Sequence, residues 1–362
     1  MTNKRALITG ASGQDSLLLS EYLMKEYGYK VWTTARRVAR PQSGHVTRLQ
    51  KEFADQYTVL NGDITDMSSI IEAIEIAQPD EFYNLAAQSH VGLSFKEPIS
   101  TLQITGLGAI NCMEAIRKIS PGTKFYQASS SEMFGGVKAG DYATTDFVDG
   151  DMLDAGFDGD VIVINENTPF SPRSPYACAK ALAHNYAKNM REAYGLHFSC
   201  GILFNHESEL RKIDFVTRKV TSYVALLWYL NEGIHTDIDV KKLALGTTNF
   251  ARDWGCAKDY VRAMHLMLQQ DEPDDYVIAT GTCKTGKDLL RTAFKYLGED
   301  WEEYVELDSA FERPTDVKVL VGDCTKAREQ LGWAHEREFE KLIYDMIEND
   351  IRVLSDNLEI TE

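Results

Sequence analysis

Within its first sixteen residues the chain passes from a short apolar run, Arg5–Thr9, through Gly10-Ala11-Ser12-Gly13 into Gln14-Asp15-Ser16. From there apolar residues recur at helical spacing up to Tyr27. A strand that becomes a helix across two glycines belongs to few folds. Gly10 permits a turn tight enough to send the chain back over its own strand, and Gly13 has no side chain to hold a ligand off the helix N-terminus. Free N–H groups and the positive end of the helix dipole suit a pyrophosphate there. Ser16 replaces the third glycine of the usual pattern, so the weight falls on context: first strand, first helix, chain start. Gly10, Ser12, Gly13, Gln14 and Asp15 are the candidate cofactor contacts. The competing reading is a turn of purely structural purpose.

The alternation continues. Lys30–Thr34, Thr58–Asn61, Glu81–Leu85 and Lys124–Ser129 are apolar runs of strand length, while Ser68–Gln78 and Ile99–Ile119 show helical spacing. Repeated βα units make a parallel sheet covered by helices on both faces. The expected class is α/β, a Rossmann-type doubly wound parallel sheet. A helix over Tyr176–Tyr194 and a strand over His197–Phe204 extend it. Beyond Asn205 the rhythm loosens into helical patterns at Phe215–Tyr229, Ala257–Gln269, Lys287–Leu297 and Phe339–Leu354, with short strands at Tyr276–Ala279 and Val317–Val321. This predicts a first domain over 1–205 and a smaller mixed α/β C-terminal lobe over 206–362, some of whose segments pack back on the first. Residues 137–166 hold eight acids against one base, and an insertion is expected over about 140–165. Its spacing misses the EF-hand pattern, which favours a solvated surface excursion over a calcium site.

The second strand ends in Ala35-Arg36-Arg37, with no acid to hold ribose hydroxyls. Two arginines there favour the 2′-phosphate of NADP, against the alternative of an exposed pair. Asp63 and Ile64 follow the third strand, and Leu85, Ala86, Ala87 and Ser89 follow the fourth, where small residues suit close passage of a cofactor.

With 55 acids against 38 bases the net charge is −17, which argues against nucleic acid or an anionic membrane as partner. The longest apolar run, Tyr223 to Leu230, is too short to cross a bilayer, and no signal-peptide pattern opens the chain. Six scattered cysteines without a CxxC pair point to a reduced, cytoplasmic setting. Eight histidines without HExxH or HxxxH spacing give no support for a metal.

Tyr176 and Lys180 stand four residues apart and so share one helix face. An adjacent ammonium favours phenolate and would lower the tyrosine's pKa, giving a general base. Among 17 tyrosines one such pair arises by chance, so its meaning depends on its surroundings. The fifth strand runs into Ser129-Ser130-Ser131-Glu132, at the end of a parallel strand where ligands bind in such folds. Ser130 would bond a substrate hydroxyl beside Tyr176. Glu132 adds a second acid/base, which a plain alcohol oxidation does not need and an elimination beside a new carbonyl does. The bland alternative is a serine-rich turn with a capping glutamate.

These residues resemble the extended short-chain dehydrogenase/reductase family, and within it the GDP-mannose 4,6-dehydratases. The marks are Gly13-Gln14-Asp15, Gln78-Pro79-Asp80-Glu81, Phe125-Tyr-Gln-Ala-Ser-Ser-Ser-Glu132, Pro172-Arg-Ser-Pro-Tyr-Ala177, Gly201-Ile-Leu-Phe-Asn-His-Glu-Ser208, Phe215-Val-Thr-Arg-Lys219, Arg252-Asp-Trp-Gly255, Ile278-Ala-Thr-Gly281 and Arg313-Pro-Thr-Asp316. They come in the family's order over nearly the whole chain. The resemblance implies that Tyr176 deprotonates the 4-hydroxyl of GDP-mannose while hydride passes from carbon 4 to NADP, and that Lys180 holds the nicotinamide ribose. It implies that Glu132 takes the proton on carbon 5 and releases the 6-hydroxyl as water, the hydride returning to carbon 6. It implies cofactor contacts at His206 and Arg211, and GDP-sugar contacts at Asn205, Asp214, Val216, Lys219, Arg252, Arg313 and Asp316. It implies a homodimer or homotetramer. Departures are Ser16, Ser130 in place of the usual threonine, Ser100 in place of an aromatic, and Glu209-Leu210 before Arg211. A UDP-glucuronate decarboxylase or another hexose dehydratase of the same fold is the alternative enzyme; a non-catalytic NADP sensor would not need Tyr176, Lys180 and Glu132 together.

Overall fold

The computed structural model describes residues 4–36, 44–137, 144–145, 161–233, 240–311, 315 and 317–359. Seven parallel strands form the central sheet: β1 (Arg5–Thr9), β2 (Lys30–Ala35), β3 (Tyr57–Asn61), β4 (Glu81–Asn84), β5 (Lys124–Ser130), β6 (Phe198–Leu203) and β7 (Asp275–Ile278). Their order is β7-β6-β5-β4-β1-β2-β3. The chain winds one way from β1 to β3 and the other way from β4 onward, so a crevice opens between the carboxyl ends of β1 and β4.

Strand alternation separates two cores. Phe82, Phe125 and Phe198 stand in register on β4, β5 and β6 and stack at 5.2 and 4.7 Å. They face α3 (Met67–Ala77), α4 (Gly108–Ile119) and α5 (Pro175–Tyr194), which bring Ile70, Ile74, Cys112, Ile116, Ala183 and Met190 to the same cluster. Tyr83 and Tyr126, one residue on, face the opposite side. There α1 (Gln14–Tyr27) and α7 (Ala257–Gln269) pack Leu17, Leu23, Tyr260 and Met264. A strand buried on both faces carries apolar residues on both sides, and the few polar ones here, such as Asn84 and Gln127, are buried and bonded to each other.

The elements expected over residues 1–130 are present within a residue or two, and Val91–Lys96 adds a short helix that was not expected. The helix expected over Ile99–Ile119 is helical throughout, but Leu102–Leu107 is π-helical. Gln88, in the loop after β4, bonds Thr101 and Thr105 at 3.0 Å each, which fixes that widened turn against the crevice. The helix Gly44–Glu52, here α2, had no counterpart in the sequence reading.

Residues beyond Asn205 contribute to both regions. Strand β7 and helix α7 complete the central sheet, while α6 (Val216–Asn231), α8 (Gly286–Lys295) and α9 (Phe339–Glu359) enclose a separate core of Val220, Val224, Leu289, Phe294, Ile343 and Ile347. A second sheet joins Lys284–Thr285, Ala251–Arg252, Val319–Gly322, Val161–Ile164 and Thr144–Thr145. Within the expected acidic insertion only Thr144–Thr145 and 161–165 are among the described residues; the first pair runs antiparallel to Val161–Ile162. Among the described residues no helix is long and apolar enough to cross a membrane.

At the amino end of the sheet Glu81 is 1% exposed. It accepts Lys4 Nζ at 2.9 Å, Tyr29 Oη at 3.1 Å, Tyr83 Oη at 2.8 Å and Gln269 Nε2 at 3.0 Å. These bonds tie β1, β2, β4 and α7 together. Replacing Glu81 with alanine leaves the donors without their acceptor, and urea melts are expected to show a loss of about 3 kcal/mol.

Candidate active site

The turn after β1 is shaped by backbone. The Gly10 and Ala11 N–H groups donate to Thr34 O at 3.2 and 2.9 Å. Gly10 has φ +88°, and a Cβ there would lie 3.2 Å from Ala86 Cα, so only glycine fits without displacement. Gly13 is the N-cap of α1 and supplies no side-chain cap, which leaves the first N–H groups of the helix to a ligand. The cradle thus fits a dinucleotide pyrophosphate. Ser16, at the third glycine position, is buried, and its Oγ has no hydrogen-bond partner among the described residues.

The rim residues differ in what they touch. Ser12, Ser89 and Arg36 are exposed. The N–H groups of Leu85 and Ala86 donate to Thr9 Oγ1 at 3.0 Å, and Ala87 is half-buried beside them. Ile64 is buried against Gly108, whose Cβ would lie 2.8 Å from it. The Asp63 carboxylate accepts the N–H and hydroxyl of Thr65 at 2.9 and 2.8 Å, shaping its own turn. Arg37, Arg313 and Asp316 lie outside the described residues.

Four residues expected to carry chemistry meet at the end of β5. Helix α5 starts at Pro175 with Ser174 as N-cap, Oγ accepting from Ala177 N at 3.1 Å. That start sets Tyr176 and Lys180 facing the strand. Lys180 Nζ donates to Ala128 O at 2.7 Å, and the Ser130 hydroxyl stands close enough to the Tyr176 phenol to favour its ionised form. Ser130 also accepts the Glu132 N–H at 3.3 Å, and its residue begins the short helix Ser131–Phe134. Glu132 is half-buried, whereas Ser130, Tyr176 and Lys180 are at most 8% exposed.

Burial reverses one expectation. The Tyr176 phenol is pushed up to about 12 by desolvation, with Ser130 and Arg211 opposing and Glu132 adding to the rise. The ammonium does not lower it as the spacing suggested. Lys180 Nζ lies 5.7 Å from the Tyr176 ring centroid, its proton is directed at a carbonyl, and its own pKa is pushed down to about 8 by burial.

Beside α1 lies a charged pair. His206 Nε2 is 3.0 Å from the Asp15 carboxylate, and Nδ1 is 2.7 Å from Phe204 O. Both neighbours accept, so the ring carries both protons. Burial opposes that charge and Asp15 overcomes it, so the pKa of His206 is raised. Burial would lift Asp15, but His206, Gln14 and Arg211 bring it down to about 2. Gln14 donates to His206 O at 3.2 Å and accepts from Ser208 Oγ at 2.7 Å. Arg211 lies 3.1 Å from Glu207 and 3.6 Å above the Phe215 ring.

The residues expected to hold the GDP portion are more dispersed. Asn205 pairs with Trp254 in a short parallel ladder. Asp214 is exposed just before α6, Val216 is the first residue of that helix, and Lys219 lies in its first turn. Arg252 is buried in the second sheet and donates to Ala251 O and Lys318 O at 2.9 and 3.2 Å. The sequence reading missed Asn84 and Gln127, which bridge β4 and β5, and Tyr260, which stacks on His206 at 4.6 Å. An amide near the end of a buried strand is the signal that marks the first two.

Fold and site together define an extended short-chain dehydrogenase/reductase of the kind that acts on nucleotide sugars. A family model described as GDP-mannose 4,6 dehydratase matches residues 7–148 and 157–346. The chain is 42% identical over 361 residues to GDP-mannose 4,6 dehydratase 1 of Arabidopsis thaliana, covering 97% of this chain and 90% of that one. It is 37% identical to the GDP-mannose 4,6 dehydratase of Homo sapiens, covering 97% and 92%. The chain belongs to the GDP-mannose 4,6-dehydratase family and is an enzyme of the hydro-lyase kind. In fold it is similar to the UDP-glucose 4-epimerase of Thermotoga maritima, with TM-score 0.77, 21% identity and coverage of 96% and 99%. It is also similar to the dTDP-glucose 4,6-dehydratase of Bacillus anthracis, solved with NAD, with TM-score 0.76, 19% identity and coverage of 96% of each chain.

The Lys180 proton gives a stability signature. The unfolded chain holds it up to an ordinary value of 10.5 and the folded chain releases it near 8. Between these values the unfolded state binds more protons, so stability from this residue rises with pH. Urea melts at pH 7.5 and 9.5 are expected to show this rise in the native chain and a smaller one in Lys180→Met.

Proposed function

We propose that this chain converts GDP-mannose to GDP-4-dehydro-6-deoxymannose and water through Ser130, Glu132, Tyr176 and Lys180. The observation that carries the reading is the meeting of a hydroxyl, a phenol and an ammonium at the end of β5 with a carboxyl two residues further on. A nicotinamide dinucleotide in the cradle of α1 would supply a hydride acceptor that takes hydride from carbon 4 and returns it to carbon 6. Tyr176 takes the proton of the 4-hydroxyl, with Ser130 bonding the same oxygen and Arg211 favouring the phenolate. Lys180 anchors the nicotinamide ribose. The new carbonyl at carbon 4 acidifies the proton on carbon 5, which Glu132 removes. Protonated Glu132 then gives that proton to the departing 6-hydroxyl, which leaves as water, and when hydride returns to carbon 6 a proton in exchange with solvent is delivered to carbon 5.

Binding roles follow from charge. His206 and Arg211, both cationic near the N-terminus of α1, suit the cofactor diphosphate. Gly10, Ser12, Gly13, Gln14, Asp15, Asp63, Ile64, Leu85, Ala86, Ala87 and Ser89 line the remainder of that crevice. Asn205, Asp214, Val216, Lys219, Arg252, Arg313 and Asp316 take the GDP portion. Arg36 and Arg37, without an acid at the end of β2, favour NADP over NAD. A cytoplasmic homodimer or homotetramer fits the family.

Incubation with GDP-mannose and a trace of NADP is expected to yield a nucleotide sugar lighter by one water, with no net change in the cofactor. In deuterated water mass spectrometry should find one solvent deuterium, on carbon 5. Glu132→Gln should slow water loss by about 100-fold or more. A product that is oxidised without loss of water would sink the reading. Arg36→Ala should weaken NADP by about tenfold and leave NAD nearly unchanged, as read by nucleotide titration.

A further inference from the structure

Three side chains of α5 meet the end of β5 at successive turns: Tyr176, Lys180 and His184. The reaction uses the first two. His184 is 3% exposed, and nothing above gives it a task. Its Nδ1 lies 2.9 Å from Ser129 Oγ. Ser129 sits between Ala128, whose carbonyl holds Lys180, and Ser130, which stands beside the Tyr176 phenol.

The far side of the ring is anchored too. His184 Nε2 lies 3.6 Å from the Asp275 carboxylate on β7. A carboxylate only accepts, so Nε2 carries the proton and Nδ1 accepts from the Ser129 hydroxyl. Arg191, two turns further along α5, donates to both Asp275 oxygens at 2.9 and 2.8 Å and to Phe198 O at 2.9 Å. Burial would raise the Asp275 carboxyl, but His184 and Arg191 hold it far below the usual carboxylate range. Phe170 covers the ring edge-on at 4.9 Å. His184, Cys200 and Asp275 bring their donor atoms within 4.8 Å of one another. Arg191 neutralises that carboxylate, which removes the charge a metal ion would need.

We propose that His184 is a positioning residue: through Ser129 it fixes the turn carrying Ser130 and Glu132 at the separation from Tyr176 and Lys180 that proton transfer requires. This rests on the reaction assigned above. After Ser130 the chain leaves the sheet, so no ladder bond holds Glu132. A displacement of about 1 Å in reacting groups costs on the order of 100-fold in rate. Asp275, held by Arg191, gives the imidazole a fixed base, and α5 then clamps β5 at three consecutive residues.

Three variants separate the two ring nitrogens. His184→Asn keeps an acceptor near Nδ1, His184→Gln reaches toward Asp275 instead, and His184→Phe fills the volume with neither. For GDP-mannose, kcat is expected to fall about tenfold or more in the Gln and Phe variants and within about threefold in Asn, with KM within about twofold in all. If the Phe variant fails to fold, the Asn and Gln pair carries the comparison. Wild-type kcat in Gln, a raised KM at constant kcat, or Asn no better than Gln would each overturn the proposal. Amide exchange over 130–132 needs no substrate. It should quicken in Gln and stay at the wild-type rate in Asn; equal rates in both count against His184. The expected exchange pattern in a protein that does not dehydrate GDP-mannose would indict the assigned reaction and leave the role of His184 standing.

Discussion

One chain of hydrogen bonds crosses the crevice and ends on Lys180. The Thr9 hydroxyl donates to Asn84 Oδ1, Asn84 Nδ2 to Gln127 Oε1, and Gln127 Nε2 to Ala128 O, each at 2.9 Å. Lys180 Nζ meets the same carbonyl at 2.7 Å. Every link is buried, so each amide has its orientation fixed by its neighbour, and a missing partner would leave the others unsatisfied. The chain joins β1, β4, β5 and α5, the elements that shape the cofactor cradle and carry the tyrosine and lysine. The Thr9 hydroxyl also receives the N–H groups of Leu85 and Ala86, so the cradle floor is set by the same atom.

The acids are unevenly spread along the chain. Residues 137–166 and 335–362 hold seventeen of the acids against four bases, and no proposed site residue lies in either. Near the end of β5 and the start of α1 charges of both signs meet: His206 faces Asp15, Arg211 faces Glu207, and Lys180 and Glu132 lie close to Tyr176. A net charge of −17 favours dispersion of the protein in solution. The Glu81 cluster holds the opposite end of the sheet and leaves the carboxyl ends free for ligand contacts.

Much of the first half was legible in the sequence because its signals are local. A strand buried on both faces must be apolar, a helix against it must repeat its apolar residues every three or four positions, and a tight strand-to-helix turn must contain glycine. Tyr176 and Lys180 were legible for the same reason, since four residues on a helix fix a common face. The π-helical stretch Leu102–Leu107 was not legible, because its apolar spacing reads as ordinary helix and its contact with Gln88 comes from another segment. The short strands of the second sheet were largely missed as well. Ala251–Arg252 and Lys284–Thr285 are two residues each, too short to show a period.

The sequence by itself determined the doubly wound α/β class and the glycine turn and singled out Ser130, Glu132, Tyr176 and Lys180 as candidates, since spacing along one element sets each of them. Only the tertiary structure decided their chemistry. The spacing of Tyr176 and Lys180 promised a lowered phenol pKa, yet packing buries both and moves each toward its neutral form, because desolvation outweighs an ammonium already engaged by Ala128 O. The same packing brought Asp15 to His206 and Ser129 to His184 to Asp275, residues between 55 and 191 positions apart. No local pattern encodes such pairs, because they arise where separate strands and helices meet.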